Sequence, residues 1–557
     1  MNSLPTKNDD LSKINQNLYN FSCLSKEEII QCSKIINSLI KNKILENLFN
    51  ANLNIWKSNK ITADRFGWIN FQKHIPKILD EGSNLLNELF KEEFKQVVLI
   101  GIGGSSQSAK IFNSFKNKNN KSLELHVLDS IHEKNVKILF EKLDLRKTIF
   151  IISSKSGSTL ETNYLFNYFQ KKLFENKINN IGNHFVAITD KNSPLHQIAL
   201  KQQFRYIFSS PKDIGGRFSF TTHFGLIPGL ICGFDVEKNL KILKKRSKVF
   251  KNNSESNPVL ILAVLLYIYH QKGINQLIVT YNTKIKYFAT WLEQLIAESN
   301  GKELKGLIPI LKSENQQKNL ISNNKKYAVL DYQLDPKNED YFIKQNVPYF
   351  KSEIISEKNI LSEMFKWQLV ITILCYLIKI DPFNEPDVNE SKILTLDVLK
   401  ERKKIPKRSK ETTEITITKL LDQLNENTPL AINVYLPEFY SLNKKLEELS
   451  NLITQKTSCL TFIGYGPRYL HSTGQIQKGG SKNIKTLFIV ENKIINKMNS
   501  KEEKQLNNLF YVQPEIDILS LKKLGRRASV IDINTDYENE LDKIIKIVKN
   551  FEYNVKT

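Results

Sequence analysis

Ile149-Phe150-Ile151-Ile152-Ser153-Ser154-Lys155-Ser156-Gly157-Ser158-Thr159 decides the fold of this chain. Four consecutive apolar residues, three of them β-branched, suit a short strand buried on both faces, the habit of a parallel sheet covered by helices. The run opens into hydroxyls, one lysine and one glycine ahead of a helical stretch that contains Glu161 and Thr162. Exposed N–H groups at that helix start, with the positive end of its dipole, form an anion site, and serine and threonine hydroxyls complete a cradle for a terminal phosphate. The same residues also suit a serine-rich turn capped by Ser158 or Thr159.

Working outward, the pattern repeats. Val97 to Ile102 precedes Gly103-Gly104-Ser105-Ser106, Leu123 to Leu128 ends at Asp129, Phe185 to Ile188 ends at Thr189-Asp190, and Arg205 to Phe208 leads to Ser209. Short apolar runs alternating with helical stretches imply βαβ units and a parallel sheet, with ligands at the carboxyl edge of its strands. A second series begins near 255, with strand candidates Gln276 to Tyr281, Tyr327 to Tyr332, Ala431 to Leu436, Leu460 to Gly464, Thr486 to Val490 and Ser529 to Ile533. The charged stretch Lys400 to Lys410 reads as a surface crossing within it. Upstream, Ile29, Ile30, Cys32, Ile35 and Ile36 approximate a helical stripe. The division expected is a helical extension over 1–85, a first α/β domain over 86–250 and a second over 251–557.

With 557 residues and 41% hydrophobic content the chain has enough apolar material for several buried cores. The first residues are polar where a secretory signal carries an apolar core, and no stretch approaches the ~18 uncharged apolar residues of a membrane span. Pro258 to Tyr269 and Trp367 to Ile378 read as buried helices. Five cysteines without a CxxC pair argue against a disulfide framework or zinc cage, and a cytoplasmic location is expected. The net charge of +23 raises the question of nucleic acid. Its lysines, however, are spread along the whole chain among Asn and Ile, so no nucleic-acid partner is expected, and no membrane partner either.

Three further segments carry chemistry. Gly101-Ile102-Gly103-Gly104-Ser105-Ser106, with Asp129 ending the next strand, has two of the three glycines of a dinucleotide fingerprint but Ser106 in place of the third. Beside the Ser154 loop, it serves better to let backbone approach a sugar phosphate. Asp213-Ile214-Gly215-Gly216-Arg217-Phe218-Ser219 sets two glycines before an arginine, a permanently cationic group suited to a developing oxyanion or simply to solvent. In Trp291 to Lys302, Glu298 stands near the negative end of a helix that Gly301 stops, where the dipole disfavours its ionised form.

Together these pieces resemble the phosphoglucose isomerase family, of the two-domain sugar isomerase (SIS) fold: GIGGSS at 101, SKSGSTLET at 154, GGRFS at 215, EQLIAESNGK at 293 and DPFNEPDVNESK at 381. RFGWIN at 65 and GYGPRYLHSTGQIQKGG at 464 resemble the isomerase half of bifunctional transaldolase/phosphoglucose isomerase proteins; the transaldolase half has no counterpart. The resemblance implies two SIS-type three-layer αβα domains with mainly parallel sheets, plus the N-terminal helical extension. It implies a metal-free and cofactor-free interconversion of glucose 6-phosphate and fructose 6-phosphate by a homodimer.

It also implies roles. Gly104, Ser105, Ser154, Lys155, Ser156 and Thr159 match substrate-binding positions, Arg217 the arginine that steadies the enediolate, and Glu298 the base that moves a proton between C2 and C1. Gln294 lies one turn earlier on the face of Glu298. Lys392 matches a lysine that assists ring opening, near a turn that here reads Phe383-Asn384-Glu385. His471 matches the ring-opening histidine in spacing to Gln475 and Gly479, but follows Lys392 in the chain, the reverse of the family order. Two rival readings are a non-catalytic SIS-type sensor of sugar phosphates and a nicotinamide-dependent oxidoreductase built on Gly101 and Asp129.

Overall fold

The computed structural model of the chain describes residues 23–52, 65–313, 326–332, 341–342, 344–352, 355–402, 411–492 and 500–552. Of the expected crossing Lys400 to Lys410, residues 403–410 lie outside the described residues.

The first sheet contains β1 (Gln96–Ile100), β2 (Glu124–Leu128), β3 (Thr148–Ser153), β4 (Phe185–Asp190) and β5 (Tyr206–Ser210) in the order β2-β1-β3-β4-β5, parallel throughout. Every residue of β3 is buried, as its unbroken apolar run requires. The chain winds to one side of β1 for β2 and to the other for β3, so the order reverses there. The loops after β1 and β3 therefore flank the crevice in which ligands of such sheets sit.

A second parallel sheet holds β6 (Gln276–Tyr281), β7 (Ile308–Ser313), β8 (Tyr327–Asp331) and β9 (Tyr349–Lys351) in the order β7-β6-β8-β9. A third holds β10 (Leu430–Tyr435), β11 (Thr461–Tyr465), β12 (Lys485–Glu491) and β13 (Ala528–Ile533) in the order β11-β10-β12-β13, again parallel. Residues 251–557, read from sequence as one domain, thus build two sheets, and much of the third packs around a hydrophobic cluster of its own. The sequence reading misses β7 and β9, both edge strands. Pro309 interrupts the first, a position an edge tolerates, and the second has only three residues.

Helices Lys26–Lys41, Ile44–Phe49 and Ile75–Lys91 form the N-terminal region. Ser25 and Glu28 close a capping box on the first, and Cys32, Ile36 and Leu39 bury its inner face. Helices Pro258–Gln271 and Ile360–Ile378 run through the main core. The latter is long and apolar enough to cross a membrane, but 89% of that window is buried inside the protein. Its Glu363 and Lys366 pair at 2.8 Å, an arrangement of a core helix rather than a lipid-facing one.

Candidate active site

The loop after β3 leaves the sheet at Ser153, whose hydroxyl donates to the Ser105 carbonyl at 2.8 Å and so ties it to the loop after β1. Thr159 stands at the N-cap of helix Leu160–Glu175 but makes no side-chain cap bond; its hydroxyl pairs with Ser154 Oγ at 3.0 Å. The first N–H groups of that 16-residue helix therefore lack the usual side-chain acceptor, which favours the anion-cradle reading over the capped turn. Ser156 is exposed at the rim and accepts from the Ser158 hydroxyl at 3.0 Å.

Lys155 sits differently from the expectation. Its ammonium meets Asp190 Oδ1 and Oδ2 at 2.7 and 2.9 Å and the Pro211 carbonyl at 3.3 Å, so it braces the loop against β4. Gly104 faces Gly216 so closely that a Cβ on it would collide with the Gly216 carbonyl. That contact docks the turn Gly103–Ser105 on the turn Gly216–Phe218, which carries Arg217. Gly103 has φ +62°, and a Cβ there would stand 2.8 Å from the carbonyl oxygen of His471.

Arg217 is buried. Its Nε donates to Ser299 Oγ at 2.9 Å, its Nη2 to the carbonyls of Pro382 and Asn384 at 2.6 and 3.2 Å, and its Nη1 to Glu385 Oε2 at 3.2 Å. The same Nη1 stands 3.6 Å from Glu298 Oε1. Thus the Phe383-Asn384-Glu385 turn serves as the socket of the arginine. Phe383 wedges it against Phe66 and Phe218, with ring centroids at 4.8 and 5.3 Å.

Glu298 lies in the last turn of helix Lys286–Asn300. Burial pushes its carboxyl above the ordinary range, opposed by the charge of Arg217 and abetted by that of Glu385. Burial is the leading cause here, where the sequence pointed to the helix dipole. Glu385 moves the other way: burial opposes, but Arg217 and Lys392 hold it ionised. Gln294 Nε2 donates to Glu298 Oε2 at 3.0 Å and to the His471 carbonyl at 2.8 Å. Its Oε1 is buried without a hydrogen-bond partner, an acceptor available to a ligand hydroxyl.

His471 closes the ring of contacts. Its Nε2 lies 3.3 Å from Glu161 Oε1, two residues past Thr159, and Gln513 donates to the same oxygen at 2.6 Å. Burial alone would raise the Glu161 carboxyl, but the charge and hydrogen bond of His471, with Gln513, hold it down at about 2. Lys392 is exposed on helix Pro386–Leu399, yet its charge favours the ionised forms of both Glu298 and Glu385. Its neighbour Ser391 accepts from the buried Lys478 at 2.6 Å.

The structure therefore brings Arg217, Glu298, Gln294 and His471 together, beside the Ser154–Thr159 cradle. Sequence reading missed Glu161, Glu385 and Gln513. Glu161 and Glu385 stood inside quoted motifs, whereas nothing marks Gln513 short of its contact 352 residues away. Asp129, the ribose-binding acid of the nicotinamide reading, is consumed by Lys110 at 2.5 Å and Arg468 at 3.1 Å. Among the described residues no group of three or more His, Cys, Asp or Glu side chains is set to hold a metal.

Residues 83–315 match the family model for phosphoglucose isomerase. The chain is 34% identical over 251 residues to a glucose-6-phosphate isomerase of Methanocaldococcus jannaschii, spanning 44% of this chain and 61% of that one. It is 29% identical over 384 residues to a glucose-6-phosphate isomerase of Mycoplasmopsis synoviae, spanning 58% of this chain and 87% of that one. A solved structure of a hypothetical protein from Thermus thermophilus shares the fold at a TM-score of 0.56 and 22% identity, covering 66% of this chain and 96% of that one. The matched span holds the glycine turn, the Ser154–Thr159 loop, Arg217 and Glu298, and over it the chain is similar to the phosphoglucose isomerase family.

Proposed function

We propose that this chain interconverts glucose 6-phosphate and fructose 6-phosphate by proton transfer through an enediolate. The observation that carries the reading is the Glu298 carboxyl, its side chain only 13% exposed, 3.6 Å from Arg217 and joined through Gln294 and His471 to the phosphate cradle. The cradle holds the phosphorylated end, with Ser105, Ser154, Ser156, Thr159 and the Gly104 backbone as its groups. His471 and Lys392 assist ring opening. Glu298 takes the proton from C2, the C2 electron pair moves into the C1–C2 bond, and the C1 carbonyl oxygen becomes the enediolate oxygen. Arg217 stabilises that charge, the C2 hydroxyl proton passes to the C1 oxygen as the C2 carbonyl forms, and Glu298 returns its proton to C1. A raised carboxyl pKa suits this exchange, because the base must both accept and release the proton near neutrality. The same reading includes a homodimer working in the cytoplasm.

A coupled assay of the purified protein with fructose 6-phosphate, run beside Glu298→Gln, tests it. The wild type should turn over and the variant should lose ~10²–10⁴-fold in kcat, while both melt at higher temperature with 6-phosphogluconate. Turnover absent in the wild type despite that shift would instead favour a sugar-phosphate sensor.

A further inference from the structure

Five residues before Glu298 on the same helix, about 140° around it, Glu293 faces a different space. It lines a cavity of about 160 Å³ between the edge strands β7 and β11 and helix Tyr440–Thr457. Lys312 of β7 lines the same cavity. Both are buried, at 9% and 2% exposure, and they are not paired with each other. Among the described residues Glu293 has no hydrogen-bond or ion-pair partner, and the Lys312 ammonium has one bond, to Ser450 Oγ at 3.3 Å.

The other charges around the cavity are accounted for. Arg468 pairs with Asp129 at 3.1 Å and Glu438 at 2.9 Å, Lys286 is exposed, and Glu447 is half-buried. A buried acid and a buried base that do not meet are costly to keep ionised. Burial accordingly pushes Glu293 up to about 8 and Lys312 down to about 8, within reach of either charge state.

We propose that this cavity binds a small zwitterion of the α-amino acid class, with its ammonium on Glu293 and its carboxylate on Lys312. An anion alone would meet Glu293 and Glu447, and a cation alone would meet Lys312; only a molecule carrying both charges satisfies the two walls at once. Thr290, Asn443 and Ser450 offer neutral hydrogen-bonding groups along the same lining. The volume is well below the ~300 Å³ or more of pockets that take drug-sized ligands, which rules out a nucleotide. Gln294, the next residue after Glu293, holds both Glu298 and His471, so occupancy of this cavity bears on the geometry of the candidate active site.

Isothermal titration of the full chain with L-alanine, L-serine and L-aspartate tests the proposal, with acetate and methylammonium as single-charge controls and Glu293→Gln and Lys312→Met as variants. Each variant removes a charge that is costly to bury, so both should fold. Saturable binding of at least one amino acid is expected, weakened at least ~10-fold in either variant, as loss of one charge-assisted hydrogen bond implies. A wild-type crystal soaked with L-serine should show density between Glu293 and Lys312. No saturable amino-acid binding, affinity untouched in both variants, equal binding of acetate or methylammonium alone, or density only elsewhere would each overturn it. None of these readouts depends on isomerase activity.

Discussion

Arg217 Nη1 stands 3.6 Å from Glu298 Oε1 while its guanidinium is fastened to Ser299, Pro382, Asn384 and Glu385. A cation held from four sides cannot swing, so its charge stays fixed whether the carboxyl beside it is protonated or ionised. Lysine has neither the planar fork nor the number of donors to fill that socket. Arg217→Lys should lower kcat ~10²–10³-fold with a much smaller change in KM, the pattern of an interaction made mainly in the transition state. Steady-state kinetics on fructose 6-phosphate check it, and an unchanged kcat would remove Arg217 from the chemistry.

Glu298 must be ionised to accept a proton, and burial raises its pKa. The acidic limb of the kcat/KM profile should therefore lie above the ordinary carboxylate range, with activity lost as pH falls through it. Lys392 favours the ionised carboxylate, so Lys392→Met should move that limb to higher pH. A limb shifted to lower pH, or unmoved, would speak against this electrostatic link.

Glu161 has a folded-state pKa depressed to about 2 from an ordinary 4.5. Its contribution to stability is fully present above the unfolded pKa and is lost as pH falls towards the folded one. Linkage puts that contribution on the order of 3 kcal/mol. Urea unfolding between about pH 5 and 3 should show a shallower decline in Glu161→Gln than in the wild type. Parallel declines would mean that the carboxylate is not ionised against His471.

Lys478 and Asp517 form an ion pair, each only 1% exposed, and Asp517 also accepts from the Tyr469 hydroxyl. Asp517→Asn would leave the ammonium buried beside Ser391 alone. Breaking one side of such a pair typically costs about 3–5 kcal/mol, measurable by urea titration. The loss should be accompanied by reduced activity, because Tyr469 and Lys478 bracket His471 in the chain.

Much of the site was legible because it is local. The loops after β1 and β3 announce themselves by an apolar run that ends abruptly in glycine and hydroxyls, and the strand order then brings them side by side. The helix carrying Gln294 and Glu298 is legible for the same reason. What periodicity does not carry is who meets whom at long range. Arg217 finds its socket 165 to 168 residues away, and His471 finds Glu161 at a separation of 310. The two missed strands lie on sheet edges, where shortness and a proline are tolerated. The third sheet was hidden because a parallel strand carries no mark of the sheet it will join.

The separation between Glu161 and His471 also sets a timetable. Ribosomes lengthen a chain by ~5–20 residues per second, so 310 residues take roughly 15–60 s to follow. During that interval the nascent polypeptide already holds the sequence of its anion cradle while its imidazole has not been synthesised. On the proposed function, turnover would begin only once the segment carrying His471 has emerged and docked, which would make catalytic onset a clock for the late stages of biosynthesis.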